Sequence, residues 1–135
     1  MDQLTAQNAN TFFYQAFQQL SINQMDIIWS HGDDSICIHP GWELVIGWMA
    51  IKESWIQIFN KIEMIDMKTN TLSLRKCGNL AIFICLENIR ISENGRINRS
   101  CVLSTNVFEQ SKGRWLLSHH QASSISNNLL DIYDS

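Results

Sequence analysis

Residues 80–86 read LAIFICL, an unbroken run of apolar side chains. An antiparallel strand with one wet face carries a polar residue at every second position. This run has none, and its β-branched and aromatic members favour strand over helix. We therefore predict a strand over residues 79–91 that is covered on both faces.

Turn signals on either side of this run predict a sheet of consecutive strands. Asn94-Gly95 is the pair preferred in two-residue hairpins, and further turns are expected around Gly78 and Gly113. Period-two, β-prone segments place the other strands near residues 70–77, 99–110 and 113–123.

The first half of the chain is predicted to be mainly helical. Apolar residues at helical spacing indicate helices over residues 9–20 and 47–62. Ser21 and Gln24 have the spacing of a capping box, which predicts a short helix running to Trp29. The apolar positions expected to face the core are Ala9, Phe12, Phe13, Ala16, Phe17 and Leu20 in the first helix, and Trp48, Ile51, Trp55, Ile58, Phe59 and Ile62 in the last.

A short strand over residues 35–39 is expected between the second and third helices. Pro40-Gly41 would end it, because proline donates no hydrogen bond to a neighbouring strand.

Helices followed by a long antiparallel sheet predict α+β architecture. With 135 residues, of which 45% are hydrophobic, the chain is sized for a single domain, residues 1–135. Three helices can cover only one sheet face, so we predict a homodimer through the outer face.

Charge and hydropathy exclude several classes of partner. The formal net charge is -3, and no basic run is present, so we expect neither nucleic-acid nor membrane binding. No apolar stretch is long enough to span a bilayer, and the start MDQLTAQNAN lacks the features of a secretory signal. The expected location is cytoplasmic.

Four cysteines without C-x-x-C spacing predict reduced, buried thiols: Cys37, Cys77, Cys85 and Cys101.

The order of these elements and several motifs resemble a known superfamily. Its markers are a strand ending in His39-Pro40-Gly41, the helix start GWMAIKESW at residues 47–55, and a last strand reading WLLSHHQAS at residues 115–123. The chain is similar to the nuclear-transport-factor-like, cystatin-like cone superfamily, and within it to SnoaL-like and ketosteroid-isomerase-like proteins. The resemblance implies three N-terminal helices packed in the concave face of a curved, mostly antiparallel sheet, with a small apolar ligand in the cone.

Compared with ketosteroid isomerase, the polar residues match only in part. His39 stands where the isomerase has its aspartate base, and a histidine titrates close enough to neutral pH to move protons. The isomerase's helical tyrosine aligns with Phe13, while Tyr14 lies about 100° further around the helix. Its second oxyanion donor aligns near Ser104 or Thr105. Steroid isomerisation by that mechanism is therefore not expected.

His39 is the candidate base, and the candidate ligand-binding residues are Tyr14, Trp42, Trp55, Ser104 and His120. His119 and His120 point to opposite faces of the last strand. We expect His120 to enter the cone, with Trp115, Leu117 and His119 on the outer face.

Simpler interpretations remain open for these residues. His39 could be a strand-end residue with a local hydrogen bond, and Trp55 could be ordinary core. A metal held by His39 and His120 with Glu43 or Asp33 lacks the usual short ligand spacing, so no metal and no cofactor are predicted.

Two functions follow from the sequence. In the first, the cone binds an apolar carbonyl-bearing ligand, with isomerase, cyclase or dehydratase activity through His39. In the alternative, the chain is a non-catalytic dimeric interaction module with a filled pocket, which binds a partner through its sheet or through residues 127–135. An open pocket with a polar floor would favour the first, and a pocket filled by Phe13, Phe17, Trp55 and Phe59 the second.

Overall fold

The computed structural model describes residues 5–126, in which three helices pack in the concave face of one curved, six-stranded sheet. The helices are α1 (Ala6–Gln18), α2 (Ile22–Ile28) and α3 (Trp48–Lys61). The strands are β1 (Ile36–Ile38), β2 (Val45–Ile46), β3 (Met64–Cys77), β4 (Leu80–Glu93), β5 (Arg96–Ser111) and β6 (Arg114–Ile125).

The sheet has the strand order β2-β1-β6-β5-β4-β3. Strands β3 to β6 form successive antiparallel pairs, while β1 adds to β6 in parallel and pairs with β2 on its other side. The predicted α+β class and the mostly antiparallel, curved sheet are confirmed. The main differences are β3, which begins six residues before the predicted strand at residue 70, and β2, which was not predicted.

Helix α1 begins earlier than its apolar pattern indicates. The Thr5 side chain accepts a hydrogen bond from the Asn8 amide at 3.0 Å and so caps the first turn. The buried face is also wider than predicted, because Asn10 and Tyr14 are buried alongside the apolar stripe. Both residues therefore face the inside of the cone.

Helix α2 is capped by Ser21, but only half of the predicted capping box forms. The Ser21 hydroxyl accepts the Gln24 amide at 3.1 Å. The Ser21 amide donates to the Ala16 carbonyl instead of to the Gln24 side chain. Among the described residues, the buried Gln24 Oε1 has no hydrogen-bond partner.

Helix α3 starts without a side-chain cap. Gly47 occupies the cap position at a φ of 86°, in a backbone region that residues with side chains rarely adopt. At the next residue, the Trp48 indole donates to the Asp26 carboxylate at 3.1 Å. This bond joins α3 to α2 and fixes the helix that carries Ser54 and Trp55.

Strand β4 shows how the two faces of the sheet differ. Ala81, Phe83 and Cys85 point into the core and are buried. On the outer face Leu86 is buried, whereas Ile82 and Ile84 remain partly exposed. The homodimer through this face stays a prediction, and residues 127–135 lie outside the described residues.

A register shift in β6 overturns one expected face assignment. His119 pairs with Val107 and Leu117 pairs with Phe108, so Ser118 lies between the two registers as a bulge. The shift moves Trp115 and Leu117 to the core side, where both are buried. The prediction that these two residues share the outer face with His119 is therefore wrong.

The cysteine prediction is only partly correct. Cys37, Cys85 and Cys101 are buried, but Cys77 is exposed at the end of β3. Burial raises the pKa values of the Cys37 and Cys85 thiols, which keeps both protonated and unreactive near neutral pH.

None of the helices within residues 5–126 has the length and apolar character to cross a membrane.

Candidate functional site

The space between the helices and the concave face of the sheet contains a set of buried polar side chains. Burying polar groups costs free energy unless they are hydrogen-bonded, so their partners define what the site can do. They come from α1, α3, the residue that follows β1, and strands β4, β5 and β6, and they are Asn10, His39, Ser54, Glu87, Ser104, Asn106 and His120.

Glu87 is the acidic residue of this set and is 1% exposed. It shares the inward face of β4 with Cys85. The hydroxyls of Tyr14 and Ser104 both donate to its Oε2 atom, each at 2.6 Å. Burial raises the pKa of Glu87 from an ordinary 4.5 to about 7, and the hydrogen bonds from Ser104 and Tyr14 oppose that rise. The carboxyl group can therefore exchange a proton near neutral pH.

Asn106 organises the rest of this network. Its amide nitrogen donates to the Tyr14 hydroxyl and to Asn10 Oδ1, both at 3.0 Å. Its oxygen must then accept, so the 2.6 Å contact with His120 assigns the donor as His120 Nδ1–H. Each residue thus donates a hydrogen bond to the next: His120 to Asn106, Asn106 to Tyr14, and Tyr14 to Glu87.

The direction of these hydrogen bonds has two chemical consequences. Every bond in it favours negative charge on Glu87. In addition, His120 keeps its proton on Nδ1, which leaves Nε2 as an acceptor. Burial, with smaller contributions from His39 and His119, lowers the pKa of His120 from 6.5 to about 3, so the ring is neutral at physiological pH.

His39 is held by a separate hydrogen-bond pair. The Ser54 hydroxyl donates to the Ile51 carbonyl at 2.6 Å, as expected within a helix. Ser54 Oγ therefore accepts from His39 Nε2–H at 2.8 Å. Burial lowers the pKa of His39 from 6.5 to about 4. The ring is neutral at physiological pH, with its acceptor nitrogen at Nδ1.

Four aromatic rings form a continuous row from the surface to the centre of the cone. Trp42 is 39% exposed and packs edge-on against His39, with ring centroids 4.9 Å apart. The His39 and Trp55 centroids are 4.6 Å apart, and those of Trp55 and His120 are 6.0 Å apart. Of these rings, Trp42 alone is substantially exposed.

The six residues predicted from sequence therefore lie in one continuous set of contacts. His39, Trp42, Trp55 and His120 form the row of rings, and Asn106 links His120 to Tyr14, which meets Ser104 at Glu87. Their roles in binding or catalysis stay predictions. Tyr14, and not Phe13, reaches the polar cluster, because the Phe13 ring packs among Trp29, Trp55 and His120.

Sequence reasoning missed Glu87, Asn106 and Asn10. The sequence contains a signal for Glu87, since strand alternation continues from Ala81, Phe83 and Cys85 directly to Glu87 on the same face.

The structure also bears on the metal site considered from the sequence. Within residues 5–126, no group of three or more His, Cys, Asp or Glu side chains is arranged to hold a metal ion. Glu43 and Asp33, considered above as ligands, are exposed.

Aromatic side chains surround the polar cluster. Trp55 packs against Phe17 and Phe59 at centroid distances of 5.0 and 5.5 Å, and against Phe13 at 5.9 Å. Trp55 is fully buried, yet its indole Nε1–H has no hydrogen-bond partner among the described residues. Trp29 is also buried with an unpaired indole nitrogen, and its ring packs against Phe13 and Trp48.

Comparison with known proteins agrees with this architecture. In sequence, the chain is 28% identical over 116 residues to the F-box protein SKIP8 of Arabidopsis thaliana, covering 86% of this chain and 48% of that protein. It thus spans about half the length of that curated relative.

Two solved structures match over nearly their full length. A proposed calcium/calmodulin-dependent protein kinase type II association domain from Thiobacillus denitrificans superposes with a TM-score of 0.82 at 24% identity, covering 90% of this chain and 96% of that chain. A proposed dehydratase of the NTF2-like family from Streptomyces avermitilis gives 0.80 at 25% identity, with 87% and 92% covered. The model of the SnoaL-like domain family matches residues 6–127, so this chain belongs to the SnoaL-like family, as its motifs predicted.

Proposed function

We propose that the cone binds a small, largely apolar, carbonyl-bearing molecule and moves a proton on it, with Glu87 as the proton acceptor. The observation that carries this proposal is the burial of Glu87 on the concave face with only hydroxyl donors on Oε2. The ion pairs within residues 5–126 involve other acidic groups. A buried carboxyl without a cation is costly to keep, and such groups concentrate at functional sites.

The chemistry that fits this group is enolisation. A carboxylate whose pKa lies near 7 can take a proton from the carbon next to a carbonyl, leaving the electron pair in an enolate. Return of the proton at another carbon would isomerise the ligand. Loss of water from the neighbouring carbon would dehydrate it. The activity expected is therefore of the isomerase or lyase type.

His39 has a different role in this proposal from the one its sequence position implies. Its depressed pKa, about 4, makes it a weaker base than Glu87 at neutral pH. Its Nε2–H is already committed to Ser54. We assign it to positioning Trp55 and to the wall of the entry beside Trp42, and keep it as the second candidate base.

A non-catalytic dimeric interaction module is the second candidate. Two observations favour it: the mutual packing of Phe17, Trp55 and Phe59 inside the cone, and the partly exposed Ile82 and Ile84 on the outer sheet face. One solved relative of similar fold is described as an association domain. Under this alternative the sheet face binds a second copy and the cone binds no ligand.

A direct test measures exchange of the protons next to the carbonyl of 2-tetralone in D2O by proton NMR, together with its effect on the melting temperature. We expect catalysed exchange by the wild type and at least a 100-fold loss in Glu87→Gln. His39→Gln should retain most of the exchange. Glu109→Gln is the matched control, because Glu109 is exposed on the neighbouring strand.

Exchange that survives in Glu87→Gln but is lost in His39→Gln would return the role of base to His39. No binding or exchange with a broad panel of ketones would favour the interaction module. Analytical ultracentrifugation then tests the dimer: Ile84→Lys should dissociate it, whereas Thr69→Lys, at an exposed position on β3, should not.

A further inference from the structure

We infer that Trp55 Nε1 and His120 Nε2 form a binding site for one uncharged ligand oxygen that both accepts and donates a hydrogen bond, as in an enol or a hydroxyl group. The inference rests on the proposed function, since it names the polar group of the ligand held in the same cone. It is carried by the unpaired indole donor and by the tautomer that the network imposes on His120.

The donor half of this site is the Trp55 indole N–H. It lies on a side chain with 0% exposure and has no acceptor among residues 5–126. Leaving such a donor unpaired costs free energy. A ligand oxygen that accepts from it removes that cost, so the site selects for an acceptor.

The acceptor half is His120. Because Nδ1–H donates to the Asn106 oxygen, the free lone pair is on Nε2. Asn106 itself is locked by donating to Tyr14 and Asn10, so the histidine does not exchange tautomers without breaking that network. The group opposite Nε2 must therefore donate.

The Trp55 and His120 rings are neighbours in the cone, with ring centroids 6.0 Å apart. We place one ligand oxygen in contact with both nitrogens. A ketone oxygen satisfies only the indole, whereas an enol or hydroxyl oxygen satisfies both rings. A carboxylate brings charge into surroundings of Phe13, Phe17 and two neutral imidazoles, where desolvation disfavours it.

The test uses four matched probes: phenol, toluene, anisole and benzoate. Phenol both donates and accepts, anisole only accepts, toluene does neither, and benzoate is charged. Affinities are measured by calorimetry for the wild type, Trp55→Phe and Trp29→Phe. Trp29→Phe is the control, because it removes another buried indole with an unpaired nitrogen, on a ring that packs against Phe13 and Trp48.

We expect the wild type and Trp29→Phe to bind phenol at least tenfold more tightly than toluene or benzoate, with anisole in between. Trp55→Phe should reduce the phenol preference to about twofold. A measurement without mutation covers the case in which Trp55→Phe fails to fold. In the 1H–15N spectrum of the wild type, phenol should shift the Trp55 indole resonance downfield and leave the Trp29 resonance in place.

Equal binding of phenol and toluene, or a phenol preference that survives in Trp55→Phe, would overturn the oxygen site while leaving ligand binding in the cone intact. If none of the four probes binds the wild type, the oxygen site is wrong and the ligand-binding proposal loses its support as well. The two failures are thus distinguished by the wild type alone.

Discussion

The Tyr14 hydroxyl and the Glu87 carboxyl group, 73 residues apart in the chain, meet in the concave face of the sheet at 2.6 Å. The bond joins the first helix to the fourth strand and points its proton at a carboxyl group that solvent does not reach. Asn106 donates to the same hydroxyl and thereby fixes the direction of that proton. The arrangement positions the Glu87 carboxyl group, which titrates near neutral pH, inside a cone lined by aromatic side chains.

The two hydroxyl donors to Glu87 give the first prediction. Tyr14→Phe and Ser104→Ala each remove one charge-assisted hydrogen bond and should destabilise the protein by about 1–3 kcal/mol in urea unfolding at pH 7.5. Each variant should also raise the pKa of Glu87 further. Thr105→Ala, on the outer face of β5, serves as the control. Unchanged stability in both variants would contradict the network.

The raised pKa of Glu87 predicts a particular pH dependence. Between pH 4.5 and about 7 the folded state keeps a proton that the unfolded state has lost, so stability falls as pH rises through this window. The full effect is about 3 kcal/mol, from about 1.4 kcal/mol per pKa unit. Measured by urea unfolding at pH 4.5 and 7.5, the stability of the wild type relative to Glu87→Gln should fall by about that amount.

This comparison must be made against the variant, because two histidines act in the opposite direction. The pKa values of folded His39 and His120, about 4 and about 3, lie below the ordinary 6.5. Their contribution to stability is therefore present above pH 6.5 and is lost as pH falls toward 4 and 3. A wild-type and variant difference that stays constant across the window would show that Glu87 has an ordinary pKa.

Ser54 provides a test of the His39 tautomer. Ser54→Ala removes the acceptor of the buried His39 Nε2–H and should cost about 1–3 kcal/mol. In His39→Leu the same serine substitution should cost much less, since the donor is gone. Additive effects in this double-mutant cycle would refute the hydrogen bond. Ser100→Ala, an exposed change on β5, should be neutral.

Much of this fold is readable from sequence because period and turn chemistry are local. Helical spacing in residues 9–20 and the Asn94-Gly95 turn are recorded directly in the chain. The buried polar residues are not, because Asn10 and Tyr14 look like solvent-facing positions when only apolar periodicity is read. Their burial depends on β4 and β5, which bring Glu87 and Asn106 opposite them.

The Ser118 bulge is the other feature that sequence alone could not provide. Alternation from His119 through WLLSHH places Trp115 and Leu117 on the outer face, and only the pairing with Val107 and Phe108 reveals the extra residue. One inserted residue reverses the direction of every side chain before it. Face assignments in a long strand are therefore reliable only up to the nearest bulge.

The bulge predicts which deletion in β6 the protein tolerates. Without Ser118, Leu117 directly precedes His119, so ordinary alternation keeps Leu117 and Trp115 on the core side and the protein should still fold cooperatively. Deleting Leu116 instead leaves Leu117 and Trp115 on opposite faces, so one large buried side chain leaves the core at a cost of about 2–5 kcal/mol. Near-ultraviolet circular dichroism with thermal melting compares the two variants. A Ser118 deletion that unfolds the protein while the Leu116 deletion melts like the wild type would argue against the bulge.

The central claim is that Glu87 is a buried carboxyl group that exchanges its proton near neutral pH. The most direct measurement is a 13C NMR titration of the glutamate side-chain carboxyl resonances, with Glu87 assigned by its absence in Glu87→Gln. A Glu87 midpoint near pH 7, rising in Tyr14→Phe, is the predicted result. A midpoint close to 4.5, unaffected by Tyr14→Phe, would contradict the account and remove the basis for proton transfer in the cone.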